Sequence, residues 1–165
     1  VAACLVGSEM CIRDSEWGMA AVVFTVDSES ATGHPPISSE EIATQAADHA
    51  DVLIPFASVD PRKGQAAVEQ ARSLVEDNGV MGFKFHPSLQ DFDPSDEAFS
   101  PLWSEISDLG VPALFHTGQN GIGAGLRGGG GIKLARSNPL LLDEIAADFP
   151  DLDVIMAHPL SLIHI

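Results

Sequence analysis

Leu114–Gly131 reads LFHTGQNGIGAGLRGGGG. It holds a formal G-x-G-x-x-G, Gly123 to Gly128, and a histidine, His116, that closes a short apolar run. Two folds compete for it. In a dinucleotide-binding sheet the glycines form the tight turn between a strand and its helix, so that phosphate meets the helix N-terminus. In a barrel enzyme they only let a long loop fold over a site that His116 helps to build. The spacing decides against the first. The strand ends near His116, seven residues before Gly123, and the next helix signal waits until Asn138–Pro139. Asp143 then falls inside that helix, not at the tip of a following strand. A loop of this length in a compact domain is usually functional, and Arg127, Lys133 and Arg136 are its positive charges.

Outward from this loop, apolar runs alternate with helical patterns. Ala20–Val26, Val52–Val59, Val80–Phe85, Val111–His116 and Val154–Ala157 read as strands. Pro55, with no amide donor, argues against a regular ladder in the second. A capping box at Ser38–Glu41 starts a helix that runs to about His49. Gly64–Asp77 carries apolar residues at helical spacing and is stopped by Gly79. Asp93–Pro94 and Asn138–Pro139 each combine a cap with a proline at the first helical position. They predict helices ending at Gly110 and about Phe149. Five strands alternating with four helices predict an α/β fold of parallel strands and right-handed crossovers. Either a (β/α) barrel or a doubly wound sheet satisfies that pattern.

Composition sets the bounds. A chain of 165 residues suits one domain, and its 45% hydrophobic and 19% charged content is that of a globular protein. The formal net charge of -16 repels nucleic acid and anionic membranes. No run is apolar for the length a membrane span needs. The expected partner is a small-molecule substrate.

The two ends read differently. Residues 4–15, CLVGSEMCIRDS, and 161–165, SLIHI, resemble translated sequencing-adapter sequence. The expectation is that 1–15 and 160–165 are artefacts and that 16–159 is an interior piece of a longer protein. Cys4, Cys11 and His164 are set aside with them. The remaining segment has no cysteine, which fits a cytoplasmic protein.

Polar residues gather just past the strand ends, where α/β folds bind ligands. Asp27–Ser28–Glu29–Ser30 follow the first strand, Ser58 and Asp60 the second. Lys84 and His86 mark the third, His116 and Thr117 the fourth, His158 the fifth. Three histidines at consecutive strand ends converge if the sheet curves into a barrel. His116 and His158 suit a metal ligand or a catalytic group. His86 precedes Pro87, which holds it extended, so shaping the loop is an equal reading. Lys84 is either a snorkelling lysine at the strand's mouth or a carboxylated one that bridges metals.

GFKFHP, then VPALFHTG, then DLDVIMAHP, in this order, resemble the amidohydrolase superfamily, in the amidohydrolase-2 branch that includes aminocarboxymuconate-semialdehyde decarboxylase relatives. GLRGGGGIKLARSNP resembles hydrolases of acyl-CoA pathways. The resemblance implies a (β/α)8 TIM-type barrel of which this chain is about strands 2–6. It also implies one divalent metal, zinc or alternatively manganese, and a homo-oligomeric full-length parent. In that family the metal is held by an H-x-H pair on the first strand, a histidine on the fifth and an aspartate on the eighth. His116 matches the fifth-strand ligand and His158 the catalytic histidine of the sixth. Lys84, His86 and Arg127 are the expected substrate-binding residues. The H-x-H pair and the final aspartate have no counterparts here, so half the metal site is missing and the piece alone is expected to be inactive.

The implied reaction is hydrolysis, with metal-activated water attacking a carbonyl of a small carboxylate- or acyl-type substrate. A metal brings the pKa of bound water from 15.7 to about 7, and a histidine titrating near neutrality can move the proton. Non-oxidative decarboxylation on the same scaffold is the first alternative. A phosphate- or nucleotide-binding module using the glycine-rich loop is the second.

Overall fold

The computed structural model of the chain describes residues 18–158. The adapter-like ends, with Cys4, Cys11 and His164, lie outside them. Five short parallel strands, β1 (Ala21–Val23), β2 (Leu53–Pro55), β3 (Phe83–Phe85), β4 (Ala113–His116) and β5 (Val154–Ala157), are laid down in chain order. β1 pairs with β2, and β3 with β4 with β5. A single bridge, Ala57 to Phe83, joins the two sets.

Pro55 accounts for that thin junction. Ala57 donates to Gly82 O toward β3 at 2.9 Å, so the backbone nitrogen two residues earlier faces the same way. That nitrogen is proline's and has nothing to donate. Only its carbonyl takes part, accepting from Met81 N at 2.9 Å. Gly82 lets the strands approach, since a Cβ there would run into the Phe56 ring.

The order β1-β2-β3-β4-β5 settles what periodicity left open. A doubly wound sheet reverses direction partway, placing helices on both faces. Here every crossover advances the same way. Right-handed connections then stack all helices on one side, and the strands curve into part of a barrel. The helices between strands are α1 (Glu29–Thr32), α2 (Ser39–Ala47), α3 (Gln65–Glu76), α4 (Pro87–Gln90), α5 (Ser100–Asp108) and α6 (Leu142–Asp148). None of the helices among the described residues is long and apolar enough to cross a membrane.

Alternation along each strand sorts the two faces. Phe83, Phe85, Ala113 and Phe115 enter the core with Leu74, Trp103 and Ile106. Phe85 meets Trp103 edge-on at 5.0 Å and 90°, and stacks on Phe115 at 5.2 Å. A smaller cluster holds Val23, Ala46, Val52 and Leu53. The intervening residues, Lys84, His86 and His116, face the hollow side.

Local signals fared unevenly. Ser38 Oγ accepts from Glu41 N at 3.1 Å as a cap should. The return arm of the box is not made, because Glu41 Oε1 accepts from Gln45 Nε2 instead. Gly79 (φ 70) and Gly110 (φ 67) sit in the left-handed region past their helices. Asn138 caps through Leu140 N at 3.1 Å, with Pro139 at the first position. Asp93–Pro94, by contrast, does not start a helix. Asp93 Oδ1 accepts from both Ser95 N and Ser95 Oγ, closing a local turn. Asp96 caps a 3₁₀ turn, and α5 begins only at Ser100. The strands are also shorter than the apolar runs, three or four residues each.

Candidate active site at the strand ends

Lys84 and His86 leave β3 on the hollow side, and His116 leaves β4 beside them. The register pairs Lys84 with Leu114 and Phe85 with Phe115. One step further, His86 and His116 come side by side. Their rings stack at 4.0 Å with 7° between planes. The His158 ring, just past β5, stands 5.3 Å from His116. The sheet thus brings three histidines from three strand ends together, with Lys84 beneath them. His158 is exposed and holds a left-handed backbone, φ 61, unusual for a residue other than glycine.

Electrostatics follow from burial. Desolvation, then the neighbouring His116 and Lys84, push the His86 imidazole down to about 3. Desolvation, Lys84 and His158 push His116 down to about 4. Burial alone brings the Lys84 ammonium down to about 8. At neutral pH both stacked rings are neutral and Lys84 holds the charge. Lys84 is 4% exposed, and none of the ion pairs among the described residues includes it. Its ammonium stands over the Phe24 ring, 5.5 Å from the centroid.

His116 Nε2 is buried without a hydrogen-bond partner among the described residues. An unpaired buried nitrogen of this kind suits a metal, which takes a neutral imidazole. Among the described residues no three His, Cys, Asp or Glu side chains form a metal-binding group. His116 therefore fits as one ligand of a set that these residues do not complete.

Behind the histidines lies a second polar cluster, in which the strand-end residues Asp27, Ser58 and Asp60 are joined by Gln90, a residue that did not stand out in the sequence. Gln90, fully buried, accepts from His86 N at 2.7 Å and donates to Asp27 O at 2.7 Å and Val59 O at 3.0 Å. Asp27 Oδ2 pairs with Lys63 Nζ at 2.9 Å, and Asp27 N donates to Ser58 Oγ at 3.0 Å. Asp60 Oδ2 accepts from Ser30 N at 2.8 Å. These bonds lock the ends of β1, β2 and β3 together. Nothing local in HPSLQDFD announces that role for Gln90, whose two carbonyl partners lie 31 and 63 positions away.

The glycine-rich loop forms no turn between strand and helix. It runs from Thr117 to Ser137 through 3₁₀ turns, with Gly128, Gly129 and Gly130 all left-handed. It docks on the end of α4. Lys133 Nζ meets Asp91 Oδ1 at 3.2 Å, and Arg136 NH1 meets Asp93 Oδ2 at 2.9 Å. Asn120 Nδ2 donates to Ser88 Oγ at 3.0 Å. A cavity of about 190 Å³ lies under the loop between Ile122, Ile132 and Leu134, apart from the histidines. Arg127 is exposed, and among the described residues no hydrogen bond or ion pair brings it to the histidines.

Comparison with known proteins places this geometry. A family model described as amidohydrolase matches residues 20–159. An uncharacterised TIM-barrel protein from Bordetella bronchiseptica is similar over 92% of this chain and 51% of its own, at 21% identity and a TM-score of 0.69. 5-Carboxyvanillate decarboxylase from Sphingomonas paucimobilis is similar over 93% of this chain and 51% of its own, at 15% identity and a TM-score of 0.66. 2,6-Dihydroxybenzoate decarboxylase from Rhizobium is similar over 73% and 43%, at 19% identity and a TM-score of 0.57. These likenesses concern the fold, a part of a TIM-type barrel. The chain spans about half the length of the solved structures it matches. No protein of curated function matches it.

Proposed function

The chain belongs to the amidohydrolase family, and from that premise we propose that it is the middle of a metal-dependent enzyme acting on a small organic carboxylate. The reaction we favour is non-oxidative decarboxylation. The observation that carries the substrate class is Lys84, a buried ammonium beside two neutral imidazoles in a chain of net charge -16. A buried cation with no carboxylate partner among the described residues suits one brought from outside. Two of the similar solved structures are decarboxylases of aromatic acids, which supports loss of carbon dioxide as the chemistry.

His116 would hold the metal through Nε2, the remaining ligands coming from elsewhere in the parent. When bound, a divalent ion supplies Lewis acidity and lowers the pKa of its water. Lys84 pairs with the substrate carboxylate and orients it. His86, neutral and nearly buried, keeps water from that side. His158, the exposed ring of the three, brings a proton on its ring nitrogen to the carbon that loses the carboxyl group. The bond from that carbon to the carboxyl carbon breaks, carbon dioxide leaves, and the electron pair takes the proton. Arg127 joins the site only if its loop turn moves. Hydrolysis of a carbonyl substrate is the second reading, supported by the family's description.

The test uses the full-length parent loaded with zinc or manganese and a panel of hydroxylated aromatic acids labelled in the carboxyl carbon. Labelled carbon dioxide supports decarboxylation. Solvent oxygen in the product, with the label retained, supports hydrolysis. Turnover of neutral analogues as fast as carboxylates sinks the substrate class.

A further inference from the structure

We propose that Asn120, on the glycine-rich loop, is a positioning residue that acts through Ser88 to hold His86 in the tautomer with its proton on Nε2. Three hydrogen bonds connect the loop to the ring. Asn120 Oδ1 accepts from Ile122 N at 2.9 Å, which fixes the orientation of the amide. Its other end, Nδ2, must then be the donor to Ser88 Oγ at 3.0 Å. A hydroxyl that has accepted from an amide keeps its own hydrogen to give, and among the described residues His86 Nδ1 is the acceptor that lies within its reach. Ser88 is buried, and His86 Nδ1 lies 3.3 Å from its oxygen. A ring nitrogen that accepts carries no proton, so in the neutral imidazole the proton sits on Nε2, at the far edge of the ring from Ser88.

The root of the ring is fixed as well. Gln90 Oε1 accepts from His86 N at 2.7 Å, and the stacked His116 ring covers one face. Rotation of the imidazole is thereby restricted, and the choice between tautomers falls to Ser88. Ser88 in turn takes its direction from a residue on the loop. Lys133 with Asp91 and Arg136 with Asp93 seat that loop on the segment just past the short helix that carries Ser88. A seated loop means a defined His86, and a lifted loop frees the Ser88 hydrogen to turn elsewhere. This deepens the reading above, on which it rests only for what the Nε2–H meets, an anionic substrate beside Lys84.

The experiment needs no substrate, so its failure and the failure of the proposed reaction are separate results. Long-range proton–nitrogen spectra of the ¹⁵N-labelled full chain at neutral pH report which ring nitrogen of His86 is protonated. The expected spectrum has a bare Nδ1 and a protonated Nε2. Asn120→Ala should move both shifts toward a tautomer average. Asn120→Asp should reverse them, because a carboxylate takes the Ser88 hydrogen and leaves Oγ to accept from Nδ1–H. A merely structural loop residue would not produce that reversal. If the carboxylate unseats the loop, Ser88→Ala, which removes the relay and leaves Asn120 in place, should give the averaged shifts. A wild-type spectrum with the proton on Nδ1 overturns the proposal. So does a His86 signature unchanged in Asn120→Ala and Ser88→Ala while the amide spectrum shows the fold intact.

Discussion

Two groups of buried polar residues lie on the same end of the sheet and differ in one respect. At the ends of β1 and β2, Asp27, Ser58 and Asp60, with Gln90 reaching over from α4, each meet a partner, and Thr25 Oγ1 is the atom there left without one among the described residues. At the ends of β3 and β4, His116 Nε2 has no hydrogen bond and Lys84 no counter-ion among the described residues. Removing a polar atom from water without replacing its bond costs free energy. The first group recovers that cost inside the fold. The second leaves it standing, as a site that a ligand completes would. Gln90 joins the two, because the residue that closes the satisfied group also anchors the His86 backbone.

The comparison breaks most visibly at His116. In the full-length parent, His116→Ala is expected to weaken metal affinity by at least about a hundredfold, since loss of a supporting partner alone costs a ligand about 10–100-fold. Metal titration checks this, and unchanged affinity would mean that the unpaired nitrogen is no ligand. Gln90→Leu probes the satisfied side. It leaves Asp27 O, Val59 O and His86 N without their bonds, and the chain should lose about 3 kcal/mol or more, read from urea unfolding. Lys84→Met should act with the opposite sign, leaving stability unchanged or raising it by about 1 kcal/mol, because an unpaired charge no longer needs burying. The same change should weaken carboxylate binding about tenfold, an effect of the size of one charge-assisted bond. A fall in stability would show that Lys84 is structural.

Acid sharpens the contrast. His86 and His116 are held at about 3 and 4 against 6.5 when unfolded. Between those values the unfolded chain binds more protons, so stability rises with pH there. It should be fully present above about pH 6.5 and drain away as pH falls toward 4 and then 3. Unfolding midpoints across that range test it, and a metal-free profile flat from pH 7 to about 4 would contradict the burial of both rings. Lys84, at about 8 against 10.5, adds a second rise between those values, which Lys84→Met should abolish. The smallest effect concerns the loop. Raising salt from about 0.1 to 1 M shortens the screening length from about 10 to 3 Å. Trypsin cleavage after Arg127 should then quicken a few-fold as the Lys133 and Arg136 tethers weaken.

What is legible in the sequence alone follows a physical line. Alternation, caps and stop glycines are local, and Ser38, Gly79, Gly110 and Asn138 sit where they were expected. Asp93–Pro94 misled because an aspartate before a proline serves a local turn as readily as a helix, and Ser95 supplied that turn with two donors. The choice between barrel and doubly wound sheet is a property of strand order, which no window of sequence contains. The strand-end histidines were visible because a polar residue ending an apolar run stands out. Ser88, Gln90 and Asn120 were not. Their roles depend on partners brought close by the fold, and each is an ordinary polar residue in a polar stretch.

The consecutive strand order carries a consequence for how the molecule assembles. Ala21 pairs with Leu53, Ala57 with Phe83, Phe83 with Ala113 and Ala113 with Val154. The paired residues lie 26 to 41 positions apart, and doubling such a loop adds only about 0.6 kcal/mol of closure entropy. Among the described residues, no strand pairing waits for a distant part of the chain. Each newly synthesised strand finds its partner in the unit made just before it, so the arc can grow in the order of translation. Its growing end is always an unsatisfied edge, to which the next strand of the same polypeptide, by virtue of being tethered there, has first access.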